Sequence, residues 1–141
     1  MINPPPHAIP DFNYQWKNWL NQIYETITGV IPQMTPVALD YASAGNSWVD
    51  FGSGFQVGEY WKDTMGVVHV TGYIKSGTDV ATIATLPPGY RPAAHESFAV
   101  TSSVVLHSHV VVQSGGELVI TLGGGASNAY VSLAGIRFRA A

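Results

Sequence analysis

The chain has 141 residues, of which 46% are hydrophobic and 11% are charged, and its formal net charge is −3. This length allows one domain with a hydrophobic core plus an appendage, and the low charge, against roughly a quarter in an average soluble domain, predicts that much of the surface is buried against other subunits. The sequence contains no cysteine, no basic stripe and no long apolar run, which argues against disulfides, thiolate metal sites, nucleic-acid binding, membrane insertion and a secretory signal.

The first ten residues form a proline-rich segment. Proline fixes the backbone dihedral φ and lacks an N–H, so residues 1–10 are expected to be extended and to stay outside any sheet interior. A disordered tail is one interpretation. The other is a strap that docks on another protein of the same assembly, and its expected contact residues are Ile2, Pro4, Pro5, Pro6 and Ile9.

Residues 11–30 carry the pattern of an amphipathic helix. Asp11 is the expected N-cap residue and Gly29 the expected residue just after the last turn. Four apolar residues recur with the spacing of a coiled-coil seam, and they are Trp16, Leu20, Ile23 and Ile27. This seam is compatible with two arrangements, namely packing on the chain's own β-domain and a short trimeric coiled coil. Two prolines four residues apart then predict a linker at residues 31–36.

From residue 37 to residue 141, short runs of β-branched and aromatic residues are separated by turn-forming residues. The expected strands are 37–41, 48–51, 59–62, 66–75, 80–85, 97–102, 104–113, 117–122 and 129–139. Ser-Gly-Gly at 114–116 predicts a tight hairpin, and Asp-Thr-Met-Gly at 63–66 predicts another turn. Short strands at this spacing predict a mainly-β fold, in which the single helix is followed along the chain by an antiparallel β-sandwich of jelly-roll type.

Alternation of apolar residues assigns one face of two strands to the core. The expected core residues are Val68, Val70 and Ile74 on one strand and Val104, Leu106, Val110 and Val112 on the other. The opposite faces mix apolar and polar residues, which is typical of a surface that contacts another subunit.

Two groups of side chains are candidates for binding. His107 and His109 lie two residues apart and so share a strand face, where three copies around a threefold axis would offer six nitrogens to a transition metal; a plain exposed or subunit-facing strand is the alternative. Aromatic rings pack on the C–H faces of sugars, and the candidate ligand contacts are Trp48, Tyr60, Trp61, Tyr73 and Tyr130. The acidic residues are scattered, so we expect no catalytic residues, no enzymatic activity and no cofactor.

Four segments in a fixed order carry a family resemblance. They are Gly-Glu-Tyr-Trp-Lys-Asp at 58–63, Gly-Val-Val-His-Val-Thr-Gly-Tyr-Ile at 66–74, Ile-Ala-Thr-Leu-Pro-Pro-Gly-Tyr-Arg-Pro at 83–92 and Val-Ser-Leu-Ala-Gly-Ile-Arg-Phe at 131–138. This series resembles the C-terminal head domains of tailed-bacteriophage tail fibres and receptor-binding proteins. The resemblance implies a homotrimeric, all-β virion protein, assembled in the host cytoplasm, that contacts a cell surface.

Two functions are compatible with these expectations. The first is a short trimeric fibre whose helix and strap attach to other virion proteins while the β-head, residues 37–141, binds a host-surface glycan or protein. The second is a capsid decoration or head-fibre trimer that its N-terminal strap clamps to the capsid. Both functions require the same parts, so the sequence does not separate them.

Overall fold

The structure is a computed structural model that describes residues 12–104, 107–123 and 129–141. The chain divides into two compact units, Met1–Thr35 and Pro36–Ala141. The predicted docking strap, residues 1–10, lies outside the described residues. Within the described ranges, no helix is both long enough and apolar enough to cross a membrane.

The first unit contains helix α1, Phe12–Met34. The prediction that the helix ends near Gly29 is wrong, because the helix continues past Pro32 and leaves only residues 35 and 36 of the expected linker at 31–36. Proline is costly in a helix interior because it removes a hydrogen bond. Pro32 lies in the last turn of α1, so the helix continues there against the local preference of proline.

In the second unit, the described residues form eleven strands and one turn of 3₁₀ helix. In chain order they are β1 Val37–Ala38, the 3₁₀ turn Ala42–Ala44, β2 Val49–Asp50, β3 Glu59–Lys62, β4 Val67–Thr71, β5 Tyr73–Lys75, β6 Ala81–Thr85, β7 Glu96–Val100, β8 Ser108–Val112, β9 Glu117–Thr121, β10 Val131–Ser132 and β11 Ile136–Arg139. The first sheet has the strand order β1-β3-β4-β11, the second β10-β5-β2 and the third β6-β9-β8-β7. All these strand pairs are antiparallel, which confirms the prediction of one helix followed in the chain by a mainly-β sandwich.

Two of the nine expected strands are each divided in two. The strand expected at 66–75 breaks at Gly72, whose φ is +130° and against which the backbone of Gly58 packs so closely that a side chain would not fit. The strand expected at 129–139 breaks at a turn in which the Ile136 N–H donates to the carbonyl oxygen of Leu133, at 3.3 Å. A break lets each half pair in a different sheet, as β4 does in the first sheet and β5 in the second.

Both predicted turns are confirmed. The Gly66 N–H donates to the carbonyl oxygen of Asp63 at 3.1 Å, and the Gly116 N–H donates to that of Gln113 at 2.8 Å. The two glycines have φ values of +79° and +98°, which residues with a side chain rarely adopt.

Side chains from all three sheets meet in one hydrophobic core. The alternation predicted for β4 and β5 is confirmed, since Val68, Val70 and Ile74 are at most 2% exposed. In the segment expected as a strand at 104–113, Val110 and Val112 of β8 are buried and Val104 is partly buried against the core, while Leu106 lies outside the described residues.

Candidate aromatic binding site

Four aromatic side chains form a cluster that we call the aromatic patch: Phe51, Phe55, Tyr73 and Tyr130. Phe51 directly follows β2, Tyr73 begins β5 and Tyr130 directly precedes β10. These strands are neighbours in the second sheet, where β5 lies between β10 and β2. Phe55 belongs to the loop between β2 and β3, so one sheet and one loop together build the patch.

The rings of the aromatic patch contact one another directly. Phe51 is at its centre, with ring centroids 4.9 Å from Tyr73, 5.1 Å from Phe55 and 5.3 Å from Tyr130. The Phe55 and Tyr73 rings lie 4.7 Å apart. Phe51 and Tyr73 are half-buried in this arrangement, whereas Phe55 is 53% exposed and Tyr130 is 43% exposed. The outer rings therefore leave about half of their surface accessible to a ligand while the inner rings support them.

Backbone geometry and side-chain hydrogen bonds together hold the loop that carries Phe55, whose end is fixed by the Gly58 N–H donating to Asp50 Oδ1 at 2.8 Å. Gly52, Ser53 and Gly54 have φ values of +78°, +53° and +83°, and two of these three positions are occupied by glycine, which adopts positive φ without strain. The Phe55 N–H donates to the carbonyl oxygen of Gly52 at 3.0 Å. This tight turn brings Phe55 back over the sheet onto Phe51.

Further hydrogen bonds attach both ends of the patch to the sheet. The N–H of Phe51 donates to the carbonyl oxygen of Tyr73 at 2.8 Å, and the N–H of Tyr73 donates to that of Gln56 at 2.9 Å. The N–H of Tyr130 donates to Ser103 Oγ at 3.0 Å, and the Ser103 N–H donates to the carbonyl oxygen of Tyr130 at 2.9 Å. The ring positions are therefore set by ordered backbone, which is the preorganisation that a binding site needs.

Polar groups lie beside the rings. The Lys75 ammonium is 5.0 Å from the centre of the Phe51 ring, within the range of a cation–π contact. A shallow cleft of about 310 Å³ adjoins the patch, and it is lined by Phe55, Gln56, Thr71, Gly72, Tyr73, Ser132 and Ala134. Apolar ring faces with convergent amide and hydroxyl groups are the chemistry that binds small polyhydroxylated molecules.

The five predicted ligand contacts separate into three groups. Tyr73 and Tyr130 are in the aromatic patch. Trp48 and Tyr60 are core residues at 2% and 9% exposure, so their prediction as ligand contacts is wrong: apolar neighbours cover both rings. Trp61 is half-buried and stacks on His69 with ring centroids 5.2 Å apart and planes only 6° apart.

Trp61 and His69 belong to a small polar network on the first sheet. His69 Nε2 lies 2.9 Å from Asp63 Oδ2, and Asp63 Oδ1 accepts the N–H groups of Met65 and Val67 at 2.9 and 3.0 Å. The hydrogen bond from His69, followed by that from Val67, holds the pKa of the Asp63 carboxyl below its usual value. Asp63 therefore closes the turn between β3 and β4 and orients the imidazole against Trp61.

The two predicted metal ligands line a groove beside β7. His107 is exposed and His109 is half-buried, and the groove also contains Ser97, Ala99 and Thr101. Within the ranges that the structure describes, no three or more metal-type side chains of one copy come together. Metal binding by His107 and His109 thus stays a prediction that requires several copies.

The predicted trimerisation residues lie on α1. Leu20 and Ile27 are 54% and 52% exposed, Trp16 and Ile23 are half-buried, and the Trp16 ring meets the edge of Trp19 at 5.0 Å. An apolar seam exposed to this degree suits helix association. Trimer formation itself stays a prediction.

Phe51 and Phe55 complete the aromatic patch but were not among the predicted ligand contacts. A signal was present in the Phe-Gly-Ser-Gly-Phe run at 51–55, where a turn-forming tripeptide separates two phenylalanines. A tight turn brings the two ends of such a run together, so the two rings could have been paired from the sequence. Their contacts with Tyr73 and Tyr130 depend on sheet pairing and could not.

No family model matches the chain, and the comparison with curated proteins finds no match. Among solved structures, the chain is similar to the crystal structure of the receptor-binding protein of Listeria phage PSA, with a TM-score of 0.60 and 16% identity over 96% of this chain and 89% of that chain. At this identity the similarity concerns the fold. The fold is thus shared with a protein of the class that the four sequence segments resemble.

Proposed function

We propose that the chain is a phage receptor-binding protein and that its aromatic patch binds a glycan on the host surface. The observation that carries this proposal is the patch itself, where Phe55 and Tyr130 expose about half of their surface on a hydrogen-bonded scaffold. Large exposed aromatic groups are unfavourable in water, and a contiguous group of them marks a contact surface. The fold shared with a phage receptor-binding protein supports the same assignment.

The chemistry of recognition follows from the geometry of the patch. Sugar rings present C–H groups on their faces, and these pack on the faces of Phe55 and Tyr130. The hydroxyl groups at the sugar edges then find donors and acceptors in Gln56, Ser132 and the Lys75 ammonium. Stacking with a few hydrogen bonds gives weak affinity for one copy, and several copies on one particle raise it by avidity.

The remaining parts of the chain have roles in assembly under this proposal. The seam of α1 forms a homotrimer, and the N-terminal segment attaches the trimer to other virion proteins, so that the protein is located in the virion. The β-domain binds without catalysing a reaction and needs no cofactor. Trimerisation raises the avidity for the host surface, because three patches on one stem act at a high effective concentration.

The test compares a double variant with a matched control. Phe55→Ala with Tyr130→Ala removes both exposed rings, and Met65→Ala removes an exposed apolar side chain elsewhere in the β-domain, where Met65 is 76% exposed. Purified chains are tested against immobilised bacterial surface polysaccharides and against whole host cells. We expect the double variant to lose about tenfold or more in affinity, equivalent to about 1.4 kcal/mol, and the control to bind normally.

Two results would count against this assignment. Full binding by the double variant would remove the patch from recognition. Absence of any polysaccharide or cell binding by the unaltered chain, together with hundreds of copies in each particle, would favour the capsid decoration role instead. Copy number is measured by quantitative mass spectrometry of purified particles.

A further inference from the structure

The surface that carries the aromatic patch continues beyond the three strands of the second sheet. β10 is at one edge of that sheet, and the segment 101–103, which directly follows β7, pairs with it there. Ser102 lies opposite Val131 in an antiparallel bridge, and the Ser132 N–H donates to the carbonyl oxygen of Thr101 at 2.8 Å. The chain just after β7 thus adds a short paired segment to the second sheet, next to β10.

This pairing aligns a residue of the groove beside β7 with the aromatic patch. Tyr73 of the patch is opposite Ser132, and the bridge puts Ser132 opposite Thr101. Directly opposed residues lie on the same face of a sheet, and the neighbouring Val131 is buried in the core, so this row lies on the outer face. Thr101 is exposed and lines the groove. Two inter-strand spacings, together about 10 Å, separate Tyr73 from Thr101.

The same outer surface continues along β7 to two histidines. Ala99 lies two residues before Thr101 and so points to the same face, and strand register places it opposite His109 of β8. His107 lines the same groove, whose volume is about 550 Å³. The cleft beside the aromatic patch measures about 310 Å³. Ser132 of the cleft and Thr101 of the groove are directly opposed, so the two depressions are neighbours on one surface.

The groove offers hydrogen-bonding groups that match the hydroxyl groups of sugars. A neutral imidazole has one donor and one acceptor nitrogen, and a hydroxyl side chain acts as either, as a sugar hydroxyl does. His107 is exposed and His109 is half-buried, while Ser97 and Thr101 add exposed hydroxyl groups. The described residues that line the groove include no lysine, arginine, aspartate or glutamate. This lining suits an uncharged, polyhydroxylated ligand.

We propose that the aromatic patch and the groove beside β7 form one extended site, which binds several consecutive sugars of a linear glycan chain. This inference rests on the proposed function, because it takes the patch as the place where one sugar stacks. One sugar ring covers only part of the path from Tyr73 to His109, which crosses three pairs of adjacent segments. The extended site is complete within one copy of the chain and requires no metal at His107 and His109.

Glycan fragments of different lengths separate the two parts of the extended site. Surface polysaccharide of the host is purified, partly hydrolysed and fractionated by size, and the full-length chain is titrated with each fraction by calorimetry. EDTA in the buffer removes any metal that histidines of several copies hold together. For the unaltered chain, we expect the affinity to rise with fragment length, because long fragments reach the groove, and to level off once both parts are filled.

A double variant and a matched control locate the effect in the groove. His107→Ala with His109→Ala removes both imidazoles, and His95→Ala removes an exposed imidazole that is not among the described groove residues. We expect the double variant to lose about tenfold in affinity for long fragments, as the loss of one or two hydrogen bonds implies. It should bind single sugars and disaccharides as the unaltered chain does, and the control should bind all fractions normally. Circular dichroism confirms that the variants are folded.

Chemical footprinting tests the same site in the unaltered chain and so does not depend on the folding of a variant. Diethyl pyrocarbonate acylates accessible imidazole nitrogens, and mass spectrometry of peptides locates the modified residues. Long fragments should reduce the modification of His107 and His109 severalfold and leave that of His95 unchanged. Single sugars should protect none of these histidines.

The outcomes distinguish the extended site from the function on which it rests. Equal affinity of the double histidine variant and the unaltered chain for long fragments, or full modification of His107 and His109 in their presence, would mean that the glycan does not enter the groove; binding of a single sugar by the patch would stand. Full binding by Phe55→Ala with Tyr130→Ala would instead overturn the proposed function of the patch. Absence of binding of every fraction by the unaltered chain would overturn both.

Discussion

The aromatic residues of the core and those of the aromatic patch are the same residue types with opposite environments. Trp48 is 2% exposed and is surrounded by core side chains, and Gly77 packs so closely on its ring that a methyl group would not fit. Phe55 and Tyr130 rest on Phe51 and leave about half of their surface open.

This difference shows that aromatic content alone does not identify a binding surface. A buried ring contributes to stability by leaving water, and its removal leaves a cavity. A ring supported on other rings at the surface contributes little to stability and remains available to a ligand. Substitution of a core ring should therefore reduce mainly the stability of the fold. Substitution of a ring in the aromatic patch should reduce mainly ligand binding.

The largest loss of stability is expected for the buried ring of Trp48. Trp48→Ala should reduce the free energy of unfolding by about 3–5 kcal/mol, because it removes a fully buried ring and leaves a cavity. Denaturant unfolding measures this loss. Trp48→Phe is the control: it keeps an aromatic ring and removes an indole N–H that has no hydrogen-bond partner, so it should cost much less. Equal losses in the two variants would contradict the cavity account.

The second-largest loss of stability is expected at Tyr41, because its ring is half-buried and its hydroxyl group makes a hydrogen bond. That hydroxyl donates to Asp50 Oδ1 at 2.7 Å, and burial, together with the Asp50 carboxylate, holds the pKa of the phenol well above its usual range. Tyr41→Phe should lower the free energy of unfolding by about 1–3 kcal/mol, since Asp50 loses a buried donor. Gly58 still donates its N–H to the same oxygen at 2.8 Å. Asp50→Asn in the Tyr41→Phe background should cost less than Asp50→Asn alone, and additive losses would exclude the coupling.

Asp63, which orients His69 against Trp61, should make a smaller contribution to the free energy of unfolding, and this contribution should depend on pH. The pKa of Asp63 is below its ordinary value of 3.8 in the folded protein, so ionised Asp63 stabilises the fold above that value. The stabilisation is lost as the pH falls through the lower, folded-state pKa. Asp63→Asn should thus be less stable than the unaltered chain at neutral pH, and the two should converge in strong acid. Melting temperatures of both proteins, measured from neutral pH to strong acid, test this prediction. A difference in melting temperature that does not change with pH would contradict it.

The smallest effect on stability is expected in the aromatic patch. Tyr130→Ala should change the free energy of unfolding by no more than about 0.5 kcal/mol, as most surface substitutions do, because about half of its surface is exposed to solvent and its backbone hydrogen bonds to Ser103 remain. Thermal unfolding measures this. A loss as large as that of Trp48→Ala would place Tyr130 with the core and erase the contrast between the two groups.

Local chemistry was enough to predict several parts of this fold. The strand at 59–62 follows from its aromatic residues Tyr60 and Trp61, and the turns closed by Gly66 and Gly116 follow from glycine at positions of positive φ. The alternation that buries Val68 and Val70 is also local, because successive side chains of a strand point to opposite faces. These features need only neighbours within a few residues.

The helix end and the strand breaks departed from what local preference predicts. Gly29 and Pro32 are both typical of a helix terminus, yet α1 includes them. Gly72 divides an apparently continuous strand because the Gly58 backbone packs against it, a contact across fourteen residues. No pattern in the residues around Gly72 contains that partner.

The candidate sites divide in the same way. Composition and spacing alone established a low-charge chain with one helix, many short strands and a set of aromatic residues suited to contact. Which of those rings are buried was settled by sheet pairing: Trp48 enters the core, while Tyr73 and Tyr130 come together with Phe51 because β5 pairs with β10 and β2. Register across the third sheet likewise aligns Val111 with Val119 and Val119 with Thr82. Burial and adjacency across strands are properties of the folded chain, since they depend on residues that the sequence separates by tens of positions.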